Sequence, residues 1–403
     1  MWEQIRSNQI RTVVLVVVMG ALLLTVGYFI GLYFFDSGAV GLVVALIMWA
    51  VLNLIGYFQG DSILLTLSKA KKISRDDHPR LFNVVEEMKI ASGLEKMPDI
   101  YIIDDPALNA FATGRDPSRA SVAITTGLLD RLNRDELQGV IAHEISHIKN
   151  RDALLMALTA ILLGSIVMLA WYATRMLFFS SMTGGRRSSG GGGQGQLIMM
   201  VIGLVLVILA PILAQFIYFA ISRKREYLAD ASAALYTRYP NGLASALEKL
   251  GASTGQLKTA NKATAPMYII NPFRKKGMAA SNLSATHPPL KERIRILRSM
   301  AGGASFAQYD QAYQQVHKTQ TGMISATTIA AAGAMSLRGA EAEAATVKEP
   351  SHIERARETS DMMYRLNKYK TITCACGTKL KVPPRFKDDT IRCPHCGRVH
   401  RVR

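Results

Sequence analysis

The chain begins with two long apolar stretches that contain no charged residue, Thr12–Phe35 and Ala39–Phe58. As a helix, the first would measure roughly 36 Å, which is enough to cross the hydrocarbon core of a bilayer. A polar turn at Asp36–Gly38 separates them, and aromatic residues near their ends are typical of a membrane interface. The alternative for the first stretch is a cleaved signal peptide, but its apolar run is too long and no small-residue cleavage site follows. We therefore predict a transmembrane hairpin in residues 1–58.

A second pair of apolar stretches lies in the middle of the chain, at Ala153–Phe179 and Leu197–Ile221. A linker rich in Gly, Ser, Arg and Gln separates them. The alternative is two buried helices of a soluble core. The lengths favour membrane spans, although Arg175 and the nearby Asp152 make the first of the two less typical. We predict a second hairpin over residues 153–221, and about four transmembrane helices in all.

The Lys and Arg residues predict the orientation of these spans. Nearly all of them lie in residues 1–11, 59–152 and 222–403. The exceptions are Arg186 and Arg187 in the loop of the second hairpin, and Arg175. Because cytoplasmic loops are enriched in Lys and Arg, we predict that both termini and the 59–152 segment are cytoplasmic. Much of the net charge of +18 is then explained without a nucleic-acid partner.

The segment between the hairpins has the pattern of a soluble α+β domain. Apolar residues at helical spacing follow His78-Pro79, whereas Asp99–Asp104 and Ser121–Leu129 have the composition of strands. A further apolar-periodic helix begins at Asp135. The predicted fold is therefore a mostly helical membrane protein of the α+β class, in which helices and a small sheet form the soluble domain.

The last of these helices contains the run His143-Glu144-Ile145-Ser146-His147. Two histidines four residues apart share one face of a helix and can bind one metal ion. Glu144 is placed to take a proton from an attacking water, as in metal-dependent hydrolysis. The alternative is a chance match on a solvated helix, which the apolar helical context weakens.

A catalytic metal site of this kind needs a third protein ligand and an open fourth position. The candidate is Glu226, in the stretch Ser222–Asp230 that follows the second hairpin. Asp230, one helical turn further on, could hold a ligand histidine by its other ring nitrogen. The alternative is a charged juxtamembrane stretch at the bilayer interface.

All four cysteines lie near the C-terminus, in two close pairs that are each followed by glycine: Cys374, Cys376, Cys393 and Cys396. This spacing predicts a structural zinc ribbon over residues 370–403, in which His395 or His400 could replace a cysteine. The alternative is a redox pair, which the absence of cysteine from the main body argues against, because that pattern fits a reducing compartment. The basic surroundings suit a protein or nucleic-acid contact, or only a solvated surface. We expect a protein partner and no nucleic acid.

Residues 301–369 are predicted to form a linker and helical extension. The segment 301–349 is rich in Ala, Gly, Gln and Thr, which is typical of a linker or marginal helix. Its uncharged part, Met323–Leu337, is too short and too weakly apolar to predict a membrane span. Ser351–Tyr369 is charged and predicted to be helical.

The chain resembles the HtpX-type membrane proteases, relatives of the CAAX prenyl endopeptidases, over roughly residues 1–300. Five stretches carry the resemblance: Asn109–Gly114, Thr125–Leu129, His143–Asp152, Arg225–Asp230 and Thr286–Pro289. The resemblance implies a catalytic zinc ion bound by His143, His147 and Glu226, with Glu144 as the general base. It also implies a zincin-like catalytic domain of helices and a small sheet, whose two segments would be residues 59–152 and 222–300.

The resemblance also implies roles around the metal. Asp230 would support a ligand, Asn109 would help to hold the substrate backbone, and the strand near residue 120 would offer its edge to an extended peptide. His287 would stabilise the oxyanion of the tetrahedral intermediate. Its alternative is a helix-entry residue set by the two prolines that follow.

The function that this resemblance implies is a zinc endopeptidase of the cell membrane. It would cut misfolded or unassembled membrane proteins at the cytoplasmic face, as part of stress response and protein quality control. Two zinc ions are expected, one catalytic and one structural. The alternative is a non-catalytic membrane adaptor that recruits a protein through the ribbon, against which the intact His/Glu set argues.

Overall fold

The computed structural model describes residues 2–152, 154, 158, 162–172, 175, 205, 208–210, 212–213, 223–253, 269, 288–300, 303–333, 336–338 and 349–402. These residues are mostly helical, with one four-stranded sheet and two small hairpins. The mostly helical α+β class is therefore confirmed. His287, Arg186, Arg187 and most of the predicted second membrane hairpin lie outside the described residues, and the number of transmembrane helices stays a prediction.

Two long helices form the predicted N-terminal hairpin, α1 (Trp2–Phe35) and α2 (Gly38–Leu67). They pack closely because glycines face each other, and a Cβ on Gly41 would lie only 2.1 Å from the carbonyl oxygen of Gly27. Among the described residues, α2 is the helix that is long and apolar enough to cross a membrane. It continues past the predicted end at Phe58 to Leu67.

Described parts of the second predicted hairpin contact the first. Helical residues 162–172 form α6, and their buried side chains pack with Met19, Leu23 and Val26 of α1. Ala210 belongs to the same apolar cluster.

The four-stranded sheet has the order β1 (Lys71–Lys72), β2 (Asp99–Ile103), β4 (Ser121–Thr125) and β3 (Ala110–Thr113). The β2–β4 pair is parallel and the other two pairs are antiparallel. The predicted edge near residue 120 is wrong, because β4 lies between two strands. Among the described strands, β3 lies at the edge. Every residue of β4 is buried, as an uncharged strand in the middle of a sheet should be.

The main core joins this sheet to helices from both halves of the soluble part. They are α3 (Pro79–Ser92), α4 (Thr126–Arg131), α5 (Arg134–Lys149), α7 (residues 223–237), α8 (Pro240–Ala252) and α9 (Leu290–Arg298). The helix α5 starts with a capping box, in which Asn133 and Glu136 each accept a backbone N–H of the other. The predicted helix order around the sheet is thus present.

In its described residues, the extension after residue 301 forms three helices, α10 (Phe306–His317), α11 (Ala326–Ala332) and α12 (His352–Leu366). The helix predicted in Ser351–Tyr369 is confirmed as α12. The segment 301–349 was expected to be a linker or marginal helix, but α10 is a packed helix whose Phe306, Tyr309 and Ala312 enter the main core. The abundance of Ala and Gln in this segment hides that apolar spacing.

The C-terminus forms two short hairpins, β5 (Lys370–Thr373) with β6 (Lys379–Val382), and β7 (Thr390–Arg392) with β8 (Val399–Arg401). Each turn carries one cysteine pair. The left-handed Gly377 and Gly397, with φ of 84° and 74°, allow the chain to reverse after each pair.

Candidate metal centres

The predicted histidines and glutamate meet on two buried helices. His143 and His147 project from α5, and Glu226 comes from α7. The Nε2 atoms of the two histidines are 3.3 Å apart. A carboxylate oxygen of Glu226 lies 3.6 Å from Nε2 of His143, and the other lies 3.5 Å from Nε2 of His147.

These distances fit a zinc ion. With bonds of 2.0–2.1 Å to nitrogen and oxygen, tetrahedral geometry separates two ligand atoms by about 3.4 Å. Three protein ligands leave a fourth position for water or substrate. The side chain of His147 retains 16% exposure, whereas that of His143 retains 1%, so His147 marks the more accessible side of the site.

Each metal-facing histidine has a carboxylate on its other ring nitrogen. Nδ1 of His143 lies 3.0 Å from Asp230, and Nδ1 of His147 lies 3.2 Å from Asp152. Such contacts fix the tautomer and the ring orientation of metal ligands. The structure thus places Asp230 at the position that the sequence predicted.

Each of these carboxylates accepts hydrogen bonds from an arginine. Arg293 donates two hydrogen bonds to Asp230, at 2.8 and 2.7 Å, and Arg225 donates one to Asp152 at 3.3 Å. Sequence reasoning missed both arginines and the role of Asp152. A weak sequence signal for Asp152 was available, since this carboxylate lies five residues after His147, just beyond the end of α5.

The net charge of the buried side chains at this site favours a divalent cation. Four carboxylates are buried, those of Glu144, Asp152, Glu226 and Asp230, together with the two guanidinium groups just described. This leaves two uncompensated negative charges among these six side chains. Buried charge is costly unless it is paired, so a divalent cation suits this set.

The same buried carboxylates raise the pKa values of the two histidines. Burial alone would lower the pKa of His147, but the hydrogen bonds of Asp152 and Glu226 raise it to about 10. Burial likewise opposes protonation of His143, yet Asp230 and Glu226 raise its pKa. Protons therefore compete with a metal for these nitrogens.

Glu144 lies between the metal ligands and the sheet edge. Its carboxylate is buried and accepts a hydrogen bond from the backbone N–H of Ala112 in β3. Burial raises its pKa, while the two neighbouring histidines act in the opposite direction. A carboxylate with a raised pKa accepts a proton more readily near neutral pH.

Asn109 lies at the start of the edge strand and is buried. Its Oδ1 accepts the N–H of Ala110 at 3.1 Å, so the side chain shapes the edge of β3. The adjacent Ala110 carbonyl accepts the N–H of Ile269 at 3.1 Å.

The four cysteines form a second cluster, with all Sγ atoms within 4.8 Å of one another. The Sγ atoms of Cys374 and Cys396 are 3.4 Å apart, and those of Cys376 and Cys393 are 3.7 Å apart. Tetrahedral zinc with bonds of 2.3 Å to sulfur separates two ligands by about 3.8 Å. Neither His395 nor His400 belongs to the cluster.

Comparison with known proteins agrees with this geometry. The profile of peptidase family M48 matches residues 76–301, which contain both segments of the first cluster. The chain belongs to peptidase family M48. It is therefore a metalloprotease, as predicted, and the extension from residue 302 onward lies outside the matched segment.

Curated relatives include protease HtpX homologs from three bacteria. The homolog of Dictyoglomus turgidum is 46% identical over 299 residues, which cover 74% of this chain and 94% of that protein. That of Thermoanaerobacter pseudethanolicus is 43% identical over 74% of this chain and 98% of its own length. That of Streptococcus pyogenes serotype M28 is 44% identical over 74% of this chain and 100% of its own length. They confirm the resemblance.

Among solved structures, the crystal structure of S. mikatae Ste24p matches with 22% identity and a TM-score of 0.40, over 74% of this chain and 67% of that chain.

Proposed function

We propose that this membrane metalloprotease is a zinc endopeptidase whose catalytic ion is bound by His143, His147 and Glu226. The observation that carries the proposal is the tetrahedral spacing of these three ligands, next to a buried carboxylate and a sheet edge. The bound zinc would polarise the scissile carbonyl and lower the pKa of the attacking water.

Glu144 is the general base in this proposal. It takes a proton from the water whose oxygen bonds to the carbonyl carbon. As the C–N bond breaks, Glu144 passes that proton to the leaving nitrogen, so no other co-reactant is needed. Asp152 and Asp230 hold the ligand histidines in the tautomer that presents Nε2 to the ion.

The substrate backbone would pair with β3, the strand at the sheet edge. An extended peptide added there gains main-chain hydrogen bonds and lies beside Glu144. Asn109 contributes by ordering this edge through the N–H of Ala110. His287, outside the described residues, stays a prediction for the oxyanion.

The physiological setting follows from charge and family. The distribution of Lys and Arg supports a multi-pass protein of the cell membrane with the active site and both termini in the cytoplasm. Misfolded or unassembled membrane proteins are the proposed substrates, in stress response and quality control. The division into hairpins at 1–58 and 153–221, catalytic segments at 59–152 and 222–300, extension and ribbon stays a prediction.

The second zinc ion would be structural, held by Cys374, Cys376, Cys393 and Cys396. Four thiolates complete the tetrahedron and leave no position for water, so this site would not be catalytic. The ribbon is the surface that we propose for a protein partner.

The test is proteolysis of an unfolded membrane substrate by the detergent-solubilised wild type and by Glu144→Gln. We expect the variant to lose activity by about 10²- to 10⁴-fold, the usual contribution of a general base, with its zinc content unchanged. Equal cleavage by the two proteins would show that the proposed base is wrong. A zinc-loaded wild type that cleaves nothing would favour the adaptor function instead.

A further inference from the structure

The edge strand β3 runs from the metal centre toward the membrane. Ala107 and Phe111, before and within the strand, pack against Leu64 and Leu65 near the end of α2. After the strand ends, the guanidinium of Arg115 lies 5.6 Å from the ring centres of both Tyr57 and Phe58. From Ala107 to Arg115, the contacted residues of α2 therefore change from Leu64 and Leu65 to Tyr57 and Phe58, which lie closer to the predicted membrane span.

Tyr57 and Phe58 mark the level of the bilayer surface. Exposed apolar side chains follow α2 from Val40 to Phe58, a helical length of about 28 Å that matches the hydrocarbon core. The polar residues Gln59 and Asp61 come next. Aromatic side chains with an arginine over their rings are typical of the headgroup region.

Among the described residues, the part of the β3 edge that has no strand partner lies on the membrane side. Thr125 donates its N–H to the carbonyl of Asn109, so antiparallel alternation turns the backbone groups of Ala110 and Ala112 outward. The Ala110 carbonyl already accepts the N–H of Ile269. In the described residues, a peptide can therefore pair from Ala112 toward Arg115.

We propose that this edge acts as a ruler, which places the cut at a fixed distance from the bilayer surface. The substrate class is the juxtamembrane segment of a membrane protein, taken as a strand that leaves the bilayer at Arg115 and reaches Glu144 at Ala112. Arg115 lies three residues after Ala112, so at 3.3 Å per extended residue these two positions are at most about 10 Å apart. The cut then falls roughly three to six residues beyond the span. The inference rests on the proposed peptidase activity.

The direction of β3 also predicts whether the cut bond comes before or after the transmembrane span in the substrate sequence. The outward N–H of Ala112 donates to Glu144, while its carbonyl can accept a hydrogen bond from a substrate residue. Antiparallel pairing is the commoner arrangement, so the substrate strand is taken as antiparallel to β3. Because β3 runs toward the membrane, an antiparallel substrate runs away from it. The cut bond then follows the transmembrane span in the substrate sequence.

The experiment uses the full-length protein in liposomes and a substrate with one span followed by many copies of a single short cleavable sequence. Mass spectrometry maps the cut bonds. We expect cuts to cluster at one distance from the span, and an inert spacer of about six residues to leave that distance unchanged. Cuts that follow the sequence wherever the spacer moves it would overturn the ruler.

Two further substrates separate the ruler from the activity that it rests on. The same repeats as a soluble peptide report peptidase activity, and if neither this peptide nor the anchored substrate is cut, the proposed function fails as well. A substrate with the span after the repeats should be cut at least about tenfold more slowly. Equal cutting of both orientations would overturn the polarity.

Variants of the β3–β4 turn test the residue that sets the distance. Arg115→Gln removes the cation over the two rings, and Arg119→Gln, at an exposed position of the same turn, is the matched control. We expect Arg115→Gln to spread the cut bonds of the anchored substrate, whereas Arg119→Gln keeps the sharp wild-type distribution. The spread is measured from the positions of the cuts and does not depend on the rate at which either variant cuts the soluble peptide. Unchanged sharp cutting by Arg115→Gln, or equal spreading in the control, would contradict the role of Arg115.

Discussion

The two ligand clusters of this chain are built in opposite ways. His143, His147 and Glu226 come from two helices far apart in sequence, lie in the main core, and have carboxylates and arginines behind the histidines. The four cysteines come from two local turns, and Cys376 and Cys396 are exposed. The core cluster has three ligands, whereas the ribbon cluster has four.

This difference predicts a catalytic role for the core cluster and a structural role for the cysteine cluster. Three ligands held rigidly from behind leave a position where water and substrate can meet. Four thiolates on two short turns instead organise a small unit that has little core of its own. Changes in the core cluster should therefore alter catalysis, whereas changes in the ribbon should alter only local folding and partner binding.

The largest effect is expected from removing a core ligand. Glu226→Ala should lose at least about 10³-fold in activity, together with one zinc ion, because two histidines alone bind the metal weakly. Glu248→Ala, which removes an exposed glutamate paired with Arg298, is the control. Activity assays and elemental analysis measure both. Retention of the core zinc in Glu226→Ala would remove Glu226 from the ligand set.

The buried His78 lies outside both ligand clusters, and its protonation gives a separate, predictable effect of pH on folding stability. His78 caps α3 by accepting the N–H of Leu81, and burial, together with nearby Arg80, lowers its pKa to about 4. Folding favours the neutral form, so its contribution is present above the ordinary pKa of 6.5 and is lost as pH falls toward 4. The full loss is on the order of 3 kcal/mol.

The variant His78→Asn keeps a capping side chain without the titration. Thermal unfolding of metal-loaded protein between pH 7 and pH 4 should show a smaller acid-induced loss for the variant than for the wild type. Identical pH profiles would mean that His78 stays unprotonated or exposed, and would assign all acid sensitivity to the metal sites.

Removing an arginine behind a ligand should have an intermediate effect. Arg293→Met frees Asp230 and should weaken zinc binding by about 10- to 100-fold, as loss of such support does in other metal sites. Arg225→Met removes the longer bond to Asp152, at 3.3 Å, and should cost less. Competition titration with a chelator measures both variants, with circular dichroism as the check on folding. Equal affinities in the wild type and Arg293→Met would contradict the supporting role.

The smallest effect on catalysis is expected from the ribbon. Cys393→Ser with Cys396→Ser should remove one zinc ion per chain and change cleavage of a soluble peptide by less than about twofold. Elemental analysis that finds one zinc ion in the wild type, unchanged in the double variant, would contradict the ribbon site. A large loss of activity would show that the two clusters are coupled.

The sequence predicted what is local and missed what depends on packing. The His143–His147 run and the cysteine turns are short patterns whose geometry follows from a helix or a tight turn. Arg293 and Arg225 reach the site only through the tertiary arrangement of α7 and α9, so no spacing could reveal them. The sheet edge was misassigned because strand order is not encoded in the pattern of β4 alone.

The most direct test of the account is a zinc anomalous difference map from crystals of the full chain. We predict two peaks, one between Nε2 of His143, Nε2 of His147 and the Glu226 carboxylate, with a fourth position left to water or substrate. The other peak should lie among the four cysteine sulfurs. A zinc-loaded crystal without a peak at the histidines, or with a fourth protein ligand that closes that site, would contradict it.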